Sequence, residues 1–115
     1  MNLAACIVFF SQLNGVDPQL TKAVIQVESR GNPNAIGSLG EVGLMQVRPE
    51  HVPETAEQLH LPCVNVRRGT AMLKVARQKC APALGDAWFI CFNTGNAAGR
   101  RVKEPKKFPY YTKVI

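Results

Sequence analysis

Apolar residues recur at helical spacing along most of this chain, whereas the strict alternation that is typical of strands is scarce. Residues 2–13 are apolar on nearly all sides, which predicts a buried first helix that ends at Asn14-Gly15. The pattern therefore favours a mainly α protein.

The second predicted helix begins at Asp17-Pro18, because Asp is a good N-cap residue and Pro fits the first helical position. Gly31 and Pro33 are expected to end this helix. These bounds place Glu28 in its last turn, on the apolar side, which is an unusual place for a carboxylate. The apolar side consists of Leu20, Ala23, Val24 and Val27.

The rest of the chain divides into short helices and one longer helix. Residues 31–43 are rich in Gly, Asn and Pro, which indicates a loop. In the longer helix Asn65 is the predicted N-cap and Lys79 the approximate end, and the buried side is expected to hold Val66, Gly69, Leu73, Ala76 and Cys80. The short helices are predicted at about 43–47, at 53–59 and at 86–92, and the basic stretch 103–107 is expected to be turn-like.

Length and composition are those of one folded domain over residues 1–115, since 46% of the residues are hydrophobic and 19% are charged. The longest apolar run, residues 3–10, is far shorter than the ~20 residues that span a bilayer, so we expect no stable membrane insertion. No basic stretch precedes this run and no small-residue cleavage site follows it, which argues against a signal peptide in this chain. Export then depends on delivery by a phage or on an upstream segment. We expect a monomer.

The net charge of +6 is concentrated in the second part of the chain. Residues 1–66 carry three basic and six acidic side chains, whereas residues 67–115 carry eleven basic and two acidic ones. Such a distribution suits an anionic partner: nucleic acid, a membrane surface or the bacterial wall. It also suits a solvated surface with no partner. We expect no nucleic acid, because stacking aromatic residues accompany the basic ones only near residues 106–111.

Four cysteines are present, with no CxxC pair and no histidine at metal-binding spacing, so we expect no metal site. A helix between Cys63 and Cys80 would separate them by roughly 20 Å at ~1.5 Å per residue, too far for a disulfide. If disulfides form, Cys63 and Cys80 are expected to pair with Cys6 and Cys91, in an order that the sequence leaves open.

Glu28 is the strongest candidate for chemistry. A carboxyl group on the apolar side of a helix is poorly solvated, and the helix C-terminus adds a negative partial charge. Both effects disfavour the ionised form, which suits a general acid near neutral pH. The alternative is a glutamate at the rim of that side, with its carboxylate in water.

Several motifs follow Glu28 in a fixed order. Glu28-Ser29 precedes a loop and then Gly43-Leu44-Met45-Gln46. The later segments are Asn65-Val66 with Gly69 and Leu73, then Phe92-Asn93-Thr94-Gly95, and finally Tyr110-Tyr111-Thr112-Lys113-Val114. In type and order they resemble the signature of lytic transglycosylases with the soluble, lysozyme-like catalytic domain. The resemblance covers residues 17–114, nearly the whole chain.

The resemblance implies a mainly α, single lysozyme-like helical domain of the goose-type lysozyme and transglycosylase class, with a substrate groove. Glu28 would be the general acid and then the base. The implied substrate-binding residues are Ser29, Gly43, Met45, Gln46, Asn93 and Tyr110. A side chain at Gly43 would obstruct the groove. Two positions depart from the family pattern, since Phe92 stands where Tyr is usual and Tyr111 where Val is usual.

The implied reaction cleaves the β-1,4 bond between N-acetylmuramic acid and N-acetylglucosamine in peptidoglycan and forms a 1,6-anhydro product, without metal or cofactor. Glycosidases normally need two carboxylates, and here only Glu41 has a claim to be the second. A hydrolytic muramidase of goose-lysozyme type, with Glu41 activating water, is therefore an alternative. Another is a nonenzymatic wall-binding or virion structural module. The expected partner is the glycan strand of peptidoglycan, in the periplasm or the extracellular wall.

Overall fold

The computed structural model describes residues 1–115, which form helices, turns and loops without a β-sheet. The only β-type pairings are isolated bridges, from Ile36 to Val42 and from Val42 to Val47. The chain divides into two compact units, Met1–Ala71 and Met72–Ile115. The helices are α1 (Leu3–Leu13), α2 (Pro18–Ser29), α3 (Ala56–Leu59), α4 (Pro62–Leu84), α5 (Ile90–Thr94), α6 (Asn96–Gly99) and α7 (Pro109–Val114), with 3₁₀ turns at Pro49–His51, Gly85–Phe89 and Pro105–Lys107.

Helix α2 begins and ends close to where the sequence predicts. The Asp17 carboxylate accepts a hydrogen bond from the Gln19 amide at 2.9 Å, and Pro18 is the first helical residue. The helix ends because Arg30 adopts a left-handed conformation with φ of 54°. Glu28 therefore lies in the last turn, as predicted.

Helix α1 has the predicted bounds, but the prediction that it is buried is wrong. Only Cys6, Ile7 and Ser11 are buried, while Phe9 is 50% exposed and Leu13 is 66% exposed. One side of α1 packs on α2, where the Ser11 and Thr21 hydroxyls share a buried hydrogen bond of 2.8 Å. The other side, which carries Val8, Phe9 and Leu13, is largely exposed, since an apolar composition does not by itself supply a second packing surface.

Helix α4 confirms the predicted buried side but not the predicted start. Val66, Leu73 and Cys80 have no exposed surface. The helix begins at Pro62, so Asn65 lies inside it and is not its N-cap. Proline at the start is favourable because its missing N–H would have no helical partner there.

The helix predicted at 43–47 is wrong. Gly43 and Gln46 have φ values of 78° and 54°, and two such left-handed residues are incompatible with a right-handed α-helix. Residues 43–46 instead form a turn, which is closed by paired hydrogen bonds between Val42 and Val47 at 2.9 and 3.0 Å.

Two disulfides confirm that Cys63 and Cys80 pair with Cys6 and Cys91. Cys6 bonds Cys63 in the first unit, with Cα atoms 5.6 Å apart. Cys80 bonds Cys91 in the second unit, with Cα atoms 6.7 Å apart. Each unit therefore carries its own covalent link to α4.

The second unit contains most of the positive charge. Residues 72–115 carry nine basic and two acidic side chains, against five basic and six acidic ones in residues 1–71. Its core includes the buried Tyr110 and Val114, and the Tyr111 ring stacks on Phe89 with centroids 5.4 Å apart.

None of the helices in the chain combines the length and the apolar character that a membrane span requires.

An ion pair fixes the segment before α3 to α4. Both Glu54 carboxylate oxygens accept from the Arg68 guanidinium at 2.8 Å, and the Glu54 side chain is only 18% exposed. The hydrogen bond from Arg68 lowers the pKa of Glu54 below its ordinary value. Because the folded pKa is the lower one, the pair stabilises the fold above the unfolded pKa and loses this effect as the pH falls through the folded pKa.

Glu54→Gln is therefore expected to lower the melting temperature at pH 7 by about 4 °C, for a loss of about 1 kcal/mol. The difference from wild type should disappear in acid, where both proteins lack the charged carboxylate. Thermal melts from pH 7 to pH 3 measure the difference, with Glu57→Gln, at an exposed position of α3, as the matched control. A difference in melting temperature that stays constant with pH would contradict a stabilising ion pair between Glu54 and Arg68.

Candidate functional site

The first half of the candidate site is the C-terminal end of α2. Glu28 is half-buried in the last turn, and the neighbouring Val24 and Ile25 are buried. The helix ends at the next residue, Ser29, so its last carbonyls belong to residues that are close to Glu28 in the chain. The structure thus places Glu28 half-buried at the C-terminal end of a helix, beside two buried apolar residues in the chain.

Ser29 fixes the bend that follows Glu28. Its hydroxyl donates to the Ile25 carbonyl at 3.1 Å and accepts from the Gly31 amide at 3.2 Å. The residue is 9% exposed. Ser29 thus caps the end of α2, in addition to any contact with substrate.

Backbone hydrogen bonds connect this helix end to the turn at residues 43–46. The Asn32 amide donates to the Ser29 carbonyl at 3.1 Å, and the Ala35 amide donates to the Asn32 carbonyl at 3.2 Å. The Gly43 amide then donates to the Ala35 carbonyl at 2.9 Å. The structure therefore brings Ser29 and Gly43 into one bonded loop, in which each segment positions the next.

Gln46 folds back onto its own turn. Its side-chain amide donates to the Gly43 carbonyl at 3.0 Å and to the Ala35 carbonyl at 3.3 Å. Its Oε1 lies beside Gly37, where an added Cβ would be only 2.6 Å away. Gln46 is half-buried and stabilises the loop that it belongs to.

Glu41 also lies beside Gly37 and has a similar role. Its Oε1 accepts from the Leu39 amide at 2.8 Å and would lie 2.5 Å from a Cβ at Gly37. The carboxylate that the sequence offers as a second acid is therefore engaged in shaping the 37–41 loop.

The structure shows a different reason for glycine at position 43 from the one that the sequence analysis expected. A Cβ at Gly43 would collide with the side-chain amide of Asn65 and with the Leu59 carbonyl, 2.6 Å away. The obstruction lies in the interior and not in a groove, because Gly43 is buried. Its φ of 78° also favours glycine.

Met45 has no exposed surface and packs against Gly69 of α4, where a Cβ would collide with its sulfur. It therefore supports the turn from beneath. Contact with a sugar would require the side chain to move.

Asn65, which the sequence analysis placed at the start of the long helix and in a family motif, has a role in the site that the sequence analysis did not identify. It is fully buried, accepts from the Met45 amide at 2.7 Å, and donates to the Val42 carbonyl at 2.8 Å and the Leu59 carbonyl at 2.9 Å. The available signal was its spacing from Gly69 and Leu73, which puts a polar residue on the apolar side of a helix. Buried amides in such positions are normally fully hydrogen-bonded.

The remaining candidates lie in the second unit. Asn93 is exposed on α5, two residues after the Cys80–Cys91 disulfide, and Gly95 ends that helix with φ of 88°. The α6 residue Gly99 packs closely on Cys91 and Thr94. Tyr110 is 6% exposed on α7. The disulfide and the close packing of α6 hold the backbone that presents Asn93.

Comparison with known proteins gives one family and several partial relatives. The family model described as "Transglycosylase SLT domain" matches residues 5–113. Two relatives, both named "Endo-type membrane-bound lytic murein transglycosylase A" and from two strains of Klebsiella pneumoniae, are 57% identical over 35 residues. The match covers 30% of this chain and 17% of each relative.

Proposed function

The chain belongs to the transglycosylase SLT domain family, and from this membership we propose that it is a peptidoglycan lytic transglycosylase with Glu28 as its single acid/base catalyst. The mainly α, lysozyme-like fold expected from the sequence agrees with the family and with the helices described above. We further propose that residues 1–115 act together as one catalytic domain.

One observation carries the proposal of a single catalyst. Glu28 lies at the end of α2, which backbone hydrogen bonds connect to the turn at residues 43–46, while the Glu41 carboxylate is held by the Leu39 amide. A reaction with one carboxylate needs a substrate that supplies its own nucleophiles, and N-acetylmuramic acid has both an N-acetyl carbonyl and a C6 hydroxyl.

In the proposed mechanism, the Glu28 carboxyl gives its proton to the glycosidic oxygen as the bond from that oxygen to C1 of N-acetylmuramic acid breaks. The N-acetyl carbonyl stabilises the cationic C1. The Glu28 carboxylate then takes the proton of the C6 hydroxyl as its oxygen bonds to C1. The 1,6-anhydro ring closes, no water is consumed, and Glu28 regains its proton.

The other candidates have supporting roles in this proposal. Ser29 and Gln46 keep the helix end and the turn in place beside the glycan. Gly43 and Met45 shape the turn from the interior. In the second unit Asn93 and Tyr110 would bind the glycan strand, as the family resemblance implies.

Product mass tests the proposal. Purified peptidoglycan treated with the protein should release muramyl products one water lighter than those of a hydrolytic muramidase, as measured by mass spectrometry, with Glu28→Gln protein as the control. Products of hydrolysed mass would support instead the hydrolase with Glu41 as its second carboxylate. Binding to the wall without any release would support a nonenzymatic module.

We propose the periplasm or the extracellular wall as the place of action and the glycan strand as the partner of a monomeric enzyme. The two disulfides support this proposal, because such bonds persist in oxidising compartments.

Charge is expected to aid attraction to the wall and not bond cleavage. The nine basic and two acidic residues of the second unit give it a net charge of +7, whereas the first unit has −1. Raising salt should slow activity on whole wall more than activity on short neutral glycan fragments, because 0.1 M salt screens charges beyond about 10 Å. Rates on both substrates over a salt series measure this. Equal salt sensitivity would count against the idea.

A further inference from the structure

We propose that Asn65 is a positioning residue of this enzyme: from inside α4 it sets the shape of the turn at residues 43–46, without touching the substrate. This inference rests on the proposed function. It gives Asn65 the role of holding the turn in shape. Asn65 bonds the backbone of Met45 and Val42, which lie 20 or more positions away in the chain.

The hydrogen bonds explain why the residue is asparagine. The turn presents one donor, the Met45 amide, while the Val42 and Leu59 carbonyls are acceptors. A carboxamide has an acceptor oxygen and a two-proton donor nitrogen on one planar group, so it satisfies all three groups at once. A glutamine would carry the same group one methylene further and would not fit a site without free volume.

Close packing makes the turn sensitive to the position of this amide. Gly43 lies so near Asn65 that any side chain at Gly43 would displace it. Gly43 in turn bonds the Ala35 carbonyl, which also accepts from the Gln46 side chain. A shift of the Asn65 amide would therefore also move Gly43 and Gln46. Through the backbone hydrogen bonds of the loop, it would alter the position of Ser29 at the end of α2.

Enzymes respond strongly to such shifts, since a misplacement of about 1 Å can cost roughly 10²-fold in rate. Because buried hydrogen bonds already hold the turn in one conformation, the turn does not have to become ordered when the glycan binds. We therefore expect Asn65 to affect turnover and substrate binding as well as stability.

Asn65→Asp gives the sharpest test, because it changes one atom group and keeps the size. A charged carboxylate would face the Val42 and Leu59 carbonyls and repel both, whereas the neutral acid restores one donated hydrogen bond. At pH 9, kcat/KM of Asn65→Asp should be about tenfold to hundredfold lower than that of wild type, so the ratio of the two should be well below one. This ratio should recover as the pH falls to 5.

Thr70→Val is the matched control. Thr70 is also fully buried on α4, and its hydroxyl accepts from Asn14 at 3.1 Å and donates to the Val66 carbonyl at 2.8 Å, outside the turn. It should lose stability but keep kcat/KM within about twofold at a temperature where it is folded. Asn65→Leu, which removes all three bonds, should lose activity at every pH without recovery.

Rates are measured on soluble glycan fragments well below the melting temperature, with circular dichroism to confirm that each variant is folded. If wild type makes no anhydro product, the proposed function fails. If wild type is active and the Asn65→Asp ratio does not change with pH, or Asn65→Leu is as active as Thr70→Val, the positioning role is overturned. Should Asn65→Leu not fold, the pH profile of Asn65→Asp decides alone.

Discussion

Glu28→Gln is expected to lower the rate of wall clearing by about 10⁴-fold or more while leaving the protein folded. General acid–base catalysis contributes about 10²–10⁴-fold for one proton transfer, and here one group is proposed to serve both steps. Glutamine keeps the size and hydrogen-bonding capacity of the side chain but has no transferable proton. An uncharged amide near buried Val24 and Ile25 should also be tolerated by the fold.

Glu41→Gln is the matched control and should cost only a fewfold. Glutamine keeps the acceptor oxygen that Glu41 offers to the Leu39 amide at 2.8 Å, so the 37–41 loop should hold its shape. Clearing rates of both variants, with thermal melts, measure the difference. A folded Glu28→Gln protein with near-normal activity would rule out the mechanism. An equal collapse of both variants would point to a hydrolase with two carboxylates.

Loss of the Cys6–Cys63 disulfide is expected to have the largest effect on stability. The bond closes a sequence separation of 57 residues, whereas Cys80–Cys91 closes only 11. The entropy of an unfolded chain falls more when a longer loop is closed, which gives about 4 kcal/mol for the first bond and about 3 kcal/mol for the second. The double replacement Cys6→Ala with Cys63→Ala should therefore destabilise the protein more than Cys80→Ala with Cys91→Ala.

Urea unfolding of the two double variants, beside wild type with and without a reductant, measures these costs. Because Cys6, Cys80 and Cys91 are all buried, both double replacements also leave small cavities, which add to the loss of stability in each variant. Reduced wild type should fall below either double variant, since it lacks both bonds. The opposite order of the two variants would show that the constraint on the unfolded chain is not what decides their stability.

The sequence by itself determined the features that depend on neighbouring residues. Asp17 and Pro18 define the start of α2 through a local hydrogen bond and a local dihedral preference, so Glu28 was correctly placed in the last turn. The spacing of Val66, Leu73 and Cys80 gave the buried side of α4 in the same way, because helical periodicity relates residues only a few positions apart. Helix geometry was also sufficient to exclude a Cys63–Cys80 disulfide.

Only the tertiary structure decided what depends on groups that are distant in the chain. One side of α1 carries apolar residues that the sequence predicts to be buried, and only the folded structure shows that this side is exposed. The turn at residues 43–46 has the composition of a short helix, but Asn65 bonds Met45 and Val42 from 20 or more positions away and the turn takes left-handed backbone angles. The same contacts explain why Gly43 must lack a side chain. Helical spacing places Asn65 on the apolar side of α4, but it cannot identify the three backbone groups that the amide bonds, because these groups come from separate segments that meet only when the chain is folded.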